Sequence, residues 1–254
     1  MKNLLEINQL TVQVNQKLLL DRVSFNIAEG RITALVGGSG SGKTTIASAI
    51  LGLLPAPLEV TQGQILFEHK NLFLFNQEQM RLIRGNKIAM VFQEPLWAFN
   101  PLMTIGQQID EVLEIHTQED KKERRHKILD VLSKVQLPNP GEIYNRYPHQ
   151  LSGGQRQRAM MAQALVTNPQ LIIADEPTSN LDVILQARIM DLFRQFKKEG
   201  MTILLISHDL GMVSHLADEV VILEQGRVVE EGFVDIIMKH PKHRYTKALM
   251  EAFA

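Results

Sequence analysis

Cysteine is absent from the 254 residues, so no disulfide, thiolate metal site, iron–sulfur cluster or cysteine nucleophile is available. An excess of either charge is also missing. Lys plus Arg is 27 against 28 Asp plus Glu, a formal net charge of −1. That balance argues against a dedicated nucleic-acid binder, which carries a basic excess or stripe. Long apolar runs are lacking too. The most hydrophobic stretches, Ala47–Leu54, Leu171–Ala174 and Thr202–Ser207, fall far short of the roughly 20 residues that span a bilayer. Glu6 interrupts the opening MKNLLEINQL where a secretory leader would continue its apolar run. The chain therefore reads as cytoplasmic, with any membrane role supplied through a partner. What is present is an ordinary globular balance, 44% hydrophobic and 22% charged, in a chain long enough for about one or two domains.

Short β-branched runs alternate with longer helical patterns, which predicts an α/β fold. Strands are expected at Leu4–Val14, Arg22–Ile27, Ile32–Val36, Gln64–Phe67, Ile88–Phe92, Leu171–Ala174, Thr202–Ile206 and Val220–Leu223. Several are apolar throughout, as strands covered on both faces of a parallel sheet should be. Helices are expected at Lys43–Leu54, Ile105–His116, Lys121–Val135, Gly153–Thr167, Val183–Lys198 and Thr246–Phe253. Between Glu94 and about Leu165 the strand signal vanishes, so this region reads as a helical insert. The charge run Glu119–Lys127 holds Asp120/Arg124 and Glu123/Lys127 at i,i+4 spacing, the pattern of an exposed helix face.

The strongest motif is Gly37-Gly38-Ser39-Gly40-Ser41-Gly42-Lys43-Thr44, followed by Thr45. It matches G-x-x-x-x-G-K-[ST], with a strand entering and a helix leaving. Glycines let successive N–H groups turn inward as an anion nest, and the helix start adds its positive dipole end. Lys43 would bridge the β- and γ-phosphates, and the Thr44 hydroxyl would ligate Mg²⁺. The only Asn-Lys pair, Asn86-Lys87, is followed by Ile88-Ala89 and lacks the aspartate that guanine reading needs. Adenine is favoured by elimination.

A second anion site follows in Leu151-Ser152-Gly153-Gly154-Gln155, where an N-cap serine and two glycines open a helix. Two phosphate-binding helix starts with one lysine imply either two ligands or one ligand shared between two chains. Leu171–Ala174 then delivers Asp175 and Glu176 at a strand's carboxyl end, where α/β ligands bind. Asp175 suits Mg²⁺, leaving Glu176 to orient and deprotonate the attacking water. His208 ends another apolar strand and is placed to hydrogen-bond a γ-phosphate.

The order of these motifs resembles the nucleotide-binding subunits of ATP-binding-cassette transporters, over nearly the whole chain. The sequence of P-loop, Gln93, Leu151–Gln155, Asp175-Glu176, Ser179-Asn180-Leu181-Asp182 and His208 carries the resemblance. It implies a P-loop NTPase (RecA-like) α/β core, residues 1–93 and 166–254, with an N-terminal antiparallel β subdomain and an inserted α-helical subdomain, 94–165. It further implies an ATPase using ATP and Mg²⁺, with Thr44, Gln93 and Asp175 toward the metal and Glu176, His208 and Gln93 in catalysis. Ser152, Gly153, Gly154 and Gln155 would contact the γ-phosphate held by the opposite subunit, and Asp182 would lie in the loop linking the two sites. The implied partners are a second ATPase subunit, identical or related, two transmembrane permeases and an extracytoplasmic solute-binding protein, without nucleic acid. The implied location is peripheral, on the cytoplasmic face of the inner membrane. Soluble relatives acting on DNA or ribosomes differ in carrying long coiled coils or two cassettes per chain. The aromatic on which many family members stack adenine is missing, the strand reading Thr11-Val12-Gln13-Val14.

Within the family, Glu94–Gly106 and His240–Leu249 resemble the oligopeptide, dipeptide and nickel importer group. Trp97 and Phe99 are either anchors for a membrane subunit or core of the helical insert. The Gly37-Gly38 opening, Pro241-Lys242-His243 and the absence of a cysteine-bearing tail shift the expectation toward nickel or a metal chelate, with peptide close behind. His240 and His243 around a proline make a poor ligand set and read as a solvent-exposed loop.

Overall fold

The computed structural model describes residues 2–179 and 181–253, with the side chains of residues 97 and 253 left aside. In chain order come β1 (Asn3–Val14), β2 (Lys17–Ala28), β3 (Ile32–Val36), α1 (Lys43–Ile50), β4 (Leu58–Phe67), β5 (Lys70–Asn71) and α2 (Gln77–Ile83). Then follow β6 (Ile88–Val91), α3 (Pro95–Ala98), α4 (Ile105–His116), α5 (Lys121–Lys134), α6 (Pro140–Asn145), α7 (Gly153–Leu165) and β7 (Leu171–Asp175). The last elements are α8 (Val183–Lys198), β8 (Thr202–Ser207), α9 (Leu210–Leu216), β9 (Glu219–Glu224), β10 (Arg227–Phe233), α10 (Val234–Lys239) and α11 (Arg244–Phe253). The chain forms two compact units, Met1–Met80 with Phe193–Ala254, and Arg81–Leu192.

The first unit holds an antiparallel sheet in the order β2-β1-β4-β5. Asn15 and Gln16 both adopt positive φ, 47° and 65°, the geometry of a two-residue hairpin loop whose twist suits the flanking strands. Beside it lie β10-β9-β3-β8, with β3 parallel to both β9 and β8. Every residue of β3 and β8 is buried, which explains their unbroken apolar character. Helices α9, α10 and α11 cover Ala34, Val36, Val220 and Ile222 of this sheet.

The second unit pairs β6 with β7 in parallel and carries the helices α3 to α7. Thr104 with Gln107 and Asp120 with Glu123 close capping boxes on α4 and α5, satisfying otherwise orphaned N–H groups. Arg124 donates to Asp110 of α4 at 2.6 and 3.3 Å, and Lys127 pairs with Glu119. The charge run is therefore a cap and a brace between helices as well as a solvated face. A Cβ on Gly106 would sit 2.5 Å from the Tyr144 ring, so only glycine admits this approach of α4 to α6.

Some elements differ from expectation. Helix α1 stops at Ile50, because Gly52 turns left-handed at φ 61° just beyond Leu51. Strand β4 starts at Leu58, six residues before the expected Gln64, because β1 pairs with its polar half. Strand β10 has no counterpart among the expected strands. Its sequence, Arg-Val-Val-Glu-Glu-Gly-Phe, is half polar because it is an edge. Phe99 is buried at 5% exposure and belongs to the core of the second unit, so it is no exposed anchor; the Trp97 side chain and Asn180 lie outside the described residues.

Candidate nucleotide site

The phosphate loop leaves β3 and enters α1 entirely within the first unit. Gly37 is obligatory, since a Cβ there would meet the Leu223 carbonyl oxygen at 2.2 Å and Ser41 Oγ at 2.7 Å. Gly40 and Gly42 take positive φ, 75° and 107°, which a side chain would strain. Lys43 is 7% exposed and its Nζ donates to the carbonyls of Gly37 and Gly38 at 2.8 and 2.9 Å. The ammonium is thereby held inside its own loop. Ser41 Oγ is buried without a hydrogen-bond partner, an orphan that an anion-binding cradle accounts for. Ser39, Gly40 and Thr44 lie exposed along the loop, with Thr45 half-buried.

His208 belongs to the same unit. The register Val36 to Ser207 makes Gly37 and His208 the next residues on adjacent parallel strands. His208 is exposed, and Asp209 beside it caps α9 by accepting from the Met212 N–H at 3.0 Å. The turn thus presents the imidazole at the sheet end where the phosphate loop begins.

Gln93, Asp175 and Glu176 belong to the second unit. Val91 pairs with Ala174, so Gln93 and Glu176 each stand two residues past a matched pair. Gln93 Nε2 accordingly donates to Glu176 Oε2 at 2.9 Å. Glu176 adopts φ 44°, a left-handed conformation uncommon for a non-glycine residue. Its carbonyl accepts from both the N–H and the hydroxyl of Ser179, at 3.1 and 2.9 Å. Backbone and side chain are both constrained at the residue expected to act as base. Asp175, at 5% exposure, closes β7.

Ser152 begins α7 as expected. Its Oγ accepts from the Gln155 N–H at 3.3 Å while Gln155 Oε1 accepts from the Ser152 N–H at 3.0 Å. Gly153 is exposed, whereas Gly154 packs so closely on Leu185 that a Cβ would lie 2.8 Å from its methyl carbons. The capping box and the packing on Leu185 together fix the start of α7.

The donors fit the groups the motifs imply. Thr44, Gln93 and Asp175 offer only oxygen ligands, as Mg²⁺ prefers. Among the described residues no cluster of three or more His, Asp or Glu could hold a metal ion. His243 serves its own helix, its Nδ1 accepting from the Tyr245 N–H at 3.3 Å.

The family model described as ABC transporter matches residues 20–179. The chain belongs to the ABC transporter family. As a member, it is an ATPase with the cassette fold. It is 42% identical over 258 residues to the oligopeptide transport ATP-binding protein OppD of Lactococcus lactis subsp. cremoris, covering 99% of this chain and 76% of that one. To the dipeptide transport ATP-binding protein DppD of Bacillus subtilis it is 45% identical over 230 residues, covering 90% and 69%. To the peptidoglycan transport ATP-binding protein YejF of Agrobacterium fabrum it is 44% identical over 255 residues, spanning 98% of this chain but about half (47%) of that protein. A solved dimeric bacterial cassette, MJ0796, superposes with a TM-score of 0.80 at 29% identity, covering 91% of this chain and 98% of that one. MJ0796 is also known as a dimer in a post-hydrolysis state bound to ADP and phosphate. Among the described residues, no helix is long and apolar enough to cross a membrane.

Proposed function

We propose that this chain is the ATP-hydrolysing motor of a peptide importer, working on the cytoplasmic face of the membrane as one of two cassettes. The observation that carries the reading is the glycine cradle closed by Lys43, together with a base, Glu176, already oriented by Gln93. Gly37 to Thr45 hold the triphosphate of ATP. Backbone N–H groups and the α1 dipole face the phosphates, and Lys43 supplies the compensating charge. Mg²⁺, when bound, neutralises charge on the phosphate oxygens, and Thr44, Gln93 and Asp175 are the oxygen donors that would hold it. Glu176 accepts the proton of the attacking water, and Gln93 keeps its carboxylate aimed. His208 hydrogen-bonds the γ-phosphate. Ser152, Gly153, Gly154 and Gln155 cap the γ-phosphate held by the facing cassette, which makes hydrolysis conditional on dimer closure. Segment 94–165 docks one of two permeases, and an extracytoplasmic binding protein delivers the solute.

The relatives named for peptide and peptidoglycan transport favour peptide as the cargo. The nickel preference, built on Gly38, Pro241-Lys242-His243 and the chain's ending, has no support from them. The test is reconstitution with the companion cassette, permeases and binding protein in proteoliposomes. Short peptides should stimulate ATP hydrolysis and enter the vesicles. Stimulation by nickel alone, or by neither, would overturn the cargo assignment.

A further inference from the structure

We infer that Tyr245 is a positioning residue of the phosphate loop, its hydroxyl fixing the Gly38 peptide so that the loop is preformed for ATP. This rests on reading Gly37–Thr44 as an ATP-holding loop. Both residues lie in the first unit, at opposite ends of the sequence. Gly38 N–H donates to Tyr245 Oη at 2.8 Å. The Gly38 carbonyl in turn accepts from Lys43 Nζ at 2.9 Å and from the Ser41 N–H at 3.2 Å. Gly38 is thus held at both its N–H and its carbonyl, and Tyr245 supplies the hold that comes from outside the loop.

The tyrosine is itself built into place. Glu230, on β10, accepts through Oε1 and Oε2 from the N–H groups of Lys242 and His243 at 2.8 and 3.0 Å. His243 Nδ1 accepts the Tyr245 N–H at 3.3 Å, so side chains satisfy N–H groups that a helix start otherwise leaves orphaned. Tyr245 packs against the buried cluster that includes Val36 and Leu210, and Val36 ends the strand that feeds the loop. The His240–Leu249 segment therefore carries one hydroxyl to one backbone N–H.

Position 38 is matched to that hydroxyl. A Cβ on Gly38 would stand 3.2 Å from Tyr245 Oη, tight enough to push the two apart. Gly38 needs no left-handed backbone, so alanine there meets only the hydroxyl within 4 Å.

The experiment measures Mg·ATP affinity of the full-length chain by calorimetry for wild type, Tyr245→Phe, Gly38→Ala and the double variant, with thermal melting of each. Tyr245→Phe keeps the ring packing and removes one hydrogen bond, so ATP binding should weaken about threefold to tenfold while the apo melting temperature stays within about 2 °C. In the assembled transporter the loss should appear in KM for ATP, with kcat near wild type. Gly38→Ala should weaken binding similarly in the wild-type background and cost nothing further once Tyr245→Phe is present. Unchanged or tighter ATP binding by Tyr245→Phe would overturn the inference, as would equal Gly38→Ala effects in both backgrounds. Wild-type chain that failed to bind ATP would remove the ATP-loop reading itself, and this inference with it.

Discussion

Replacing Glu176 by glutamine tests the chemistry with the least disturbance of shape. The side chain keeps its length, the backbone keeps the turn that Ser179 closes onto the residue 176 carbonyl, and the new amide oxygen can still accept from Gln93. Only the capacity to take a proton is lost. A positioned general base contributes about 10²–10⁴-fold, which at 1.36 kcal/mol per decade is about 2.7–5.4 kcal/mol of barrier. Glu176→Gln should therefore slow phosphate release by the assembled transporter by at least about 100-fold. ATP affinity should hold, and the closed dimer should accumulate with uncleaved nucleotide. Gln93→Leu provides an internal contrast. It removes the hydrogen bond to Glu176, worth about 1.5–3 kcal/mol, and also the oxygen donor proposed for Mg²⁺. It should therefore raise the Mg²⁺ concentration needed for half-maximal turnover, which Glu176→Gln should leave unchanged. The assay is steady-state phosphate release with nucleotide binding measured in parallel. Glu176→Gln turning over within tenfold of wild type would refute the assignment of Glu176 as base.

Ser152→Ala removes the side-chain cap of α7 and should cost about 1 kcal/mol of stability. It should impair hydrolysis in the transporter while leaving ATP binding to its own chain unchanged by calorimetry. Phe193 and Phe196 are fully buried and meet edge to face at 6.4 Å, so Phe196→Ala should destabilise by about 3–5 kcal/mol in denaturant titration. His116 titrates below its ordinary 6.5 because burial, and then the Arg81 cation, disfavour its charged form, against a weaker opposing bond with the Arg84 backbone. A depressed histidine favours the fold above pH 6.5 and loses that contribution as pH falls through the folded value. The melting temperature of His116→Gln should accordingly fall less than that of wild type between pH 7 and about pH 5, followed by calorimetric scans.

Legibility in the sequence follows the range of the interactions. The phosphate loop is readable because glycine spacing, the entering strand and the leaving helix all sit within a few residues. Ser152 with Gln155 is readable for the same reason, since a capping box spans one turn. Asp175 and Glu176 stand out as carboxylates closing an apolar strand, but the bond from Gln93 that orients Glu176 depends on the β6–β7 register. Strand β10 escapes because edge strands tolerate polar residues, although Gln225 and Gly226, both at positive φ, form a two-residue hairpin turn that hints at it. Phe99 is ambiguous in sequence because an aromatic beside prolines suits a core or an interface equally; its burial settles the matter. Tyr245 falls within a recognisable segment, yet its bond to Gly38 joins residues from opposite ends of the chain. No local pattern encodes such a contact.

Hydrolysis shared between two cassettes requires the facing cassette's serine-led helix start to lie at the γ-phosphate once ATP is trapped. The direct measurement is a structure of the Glu176→Gln chain with its companion cassette and Mg·ATP. The γ-phosphate should lie between one chain's Lys43 and the other chain's Ser152 hydroxyl and Gly154 N–H. A triphosphate enclosed by one chain alone, with Ser152 of the facing chain in solvent, would contradict it.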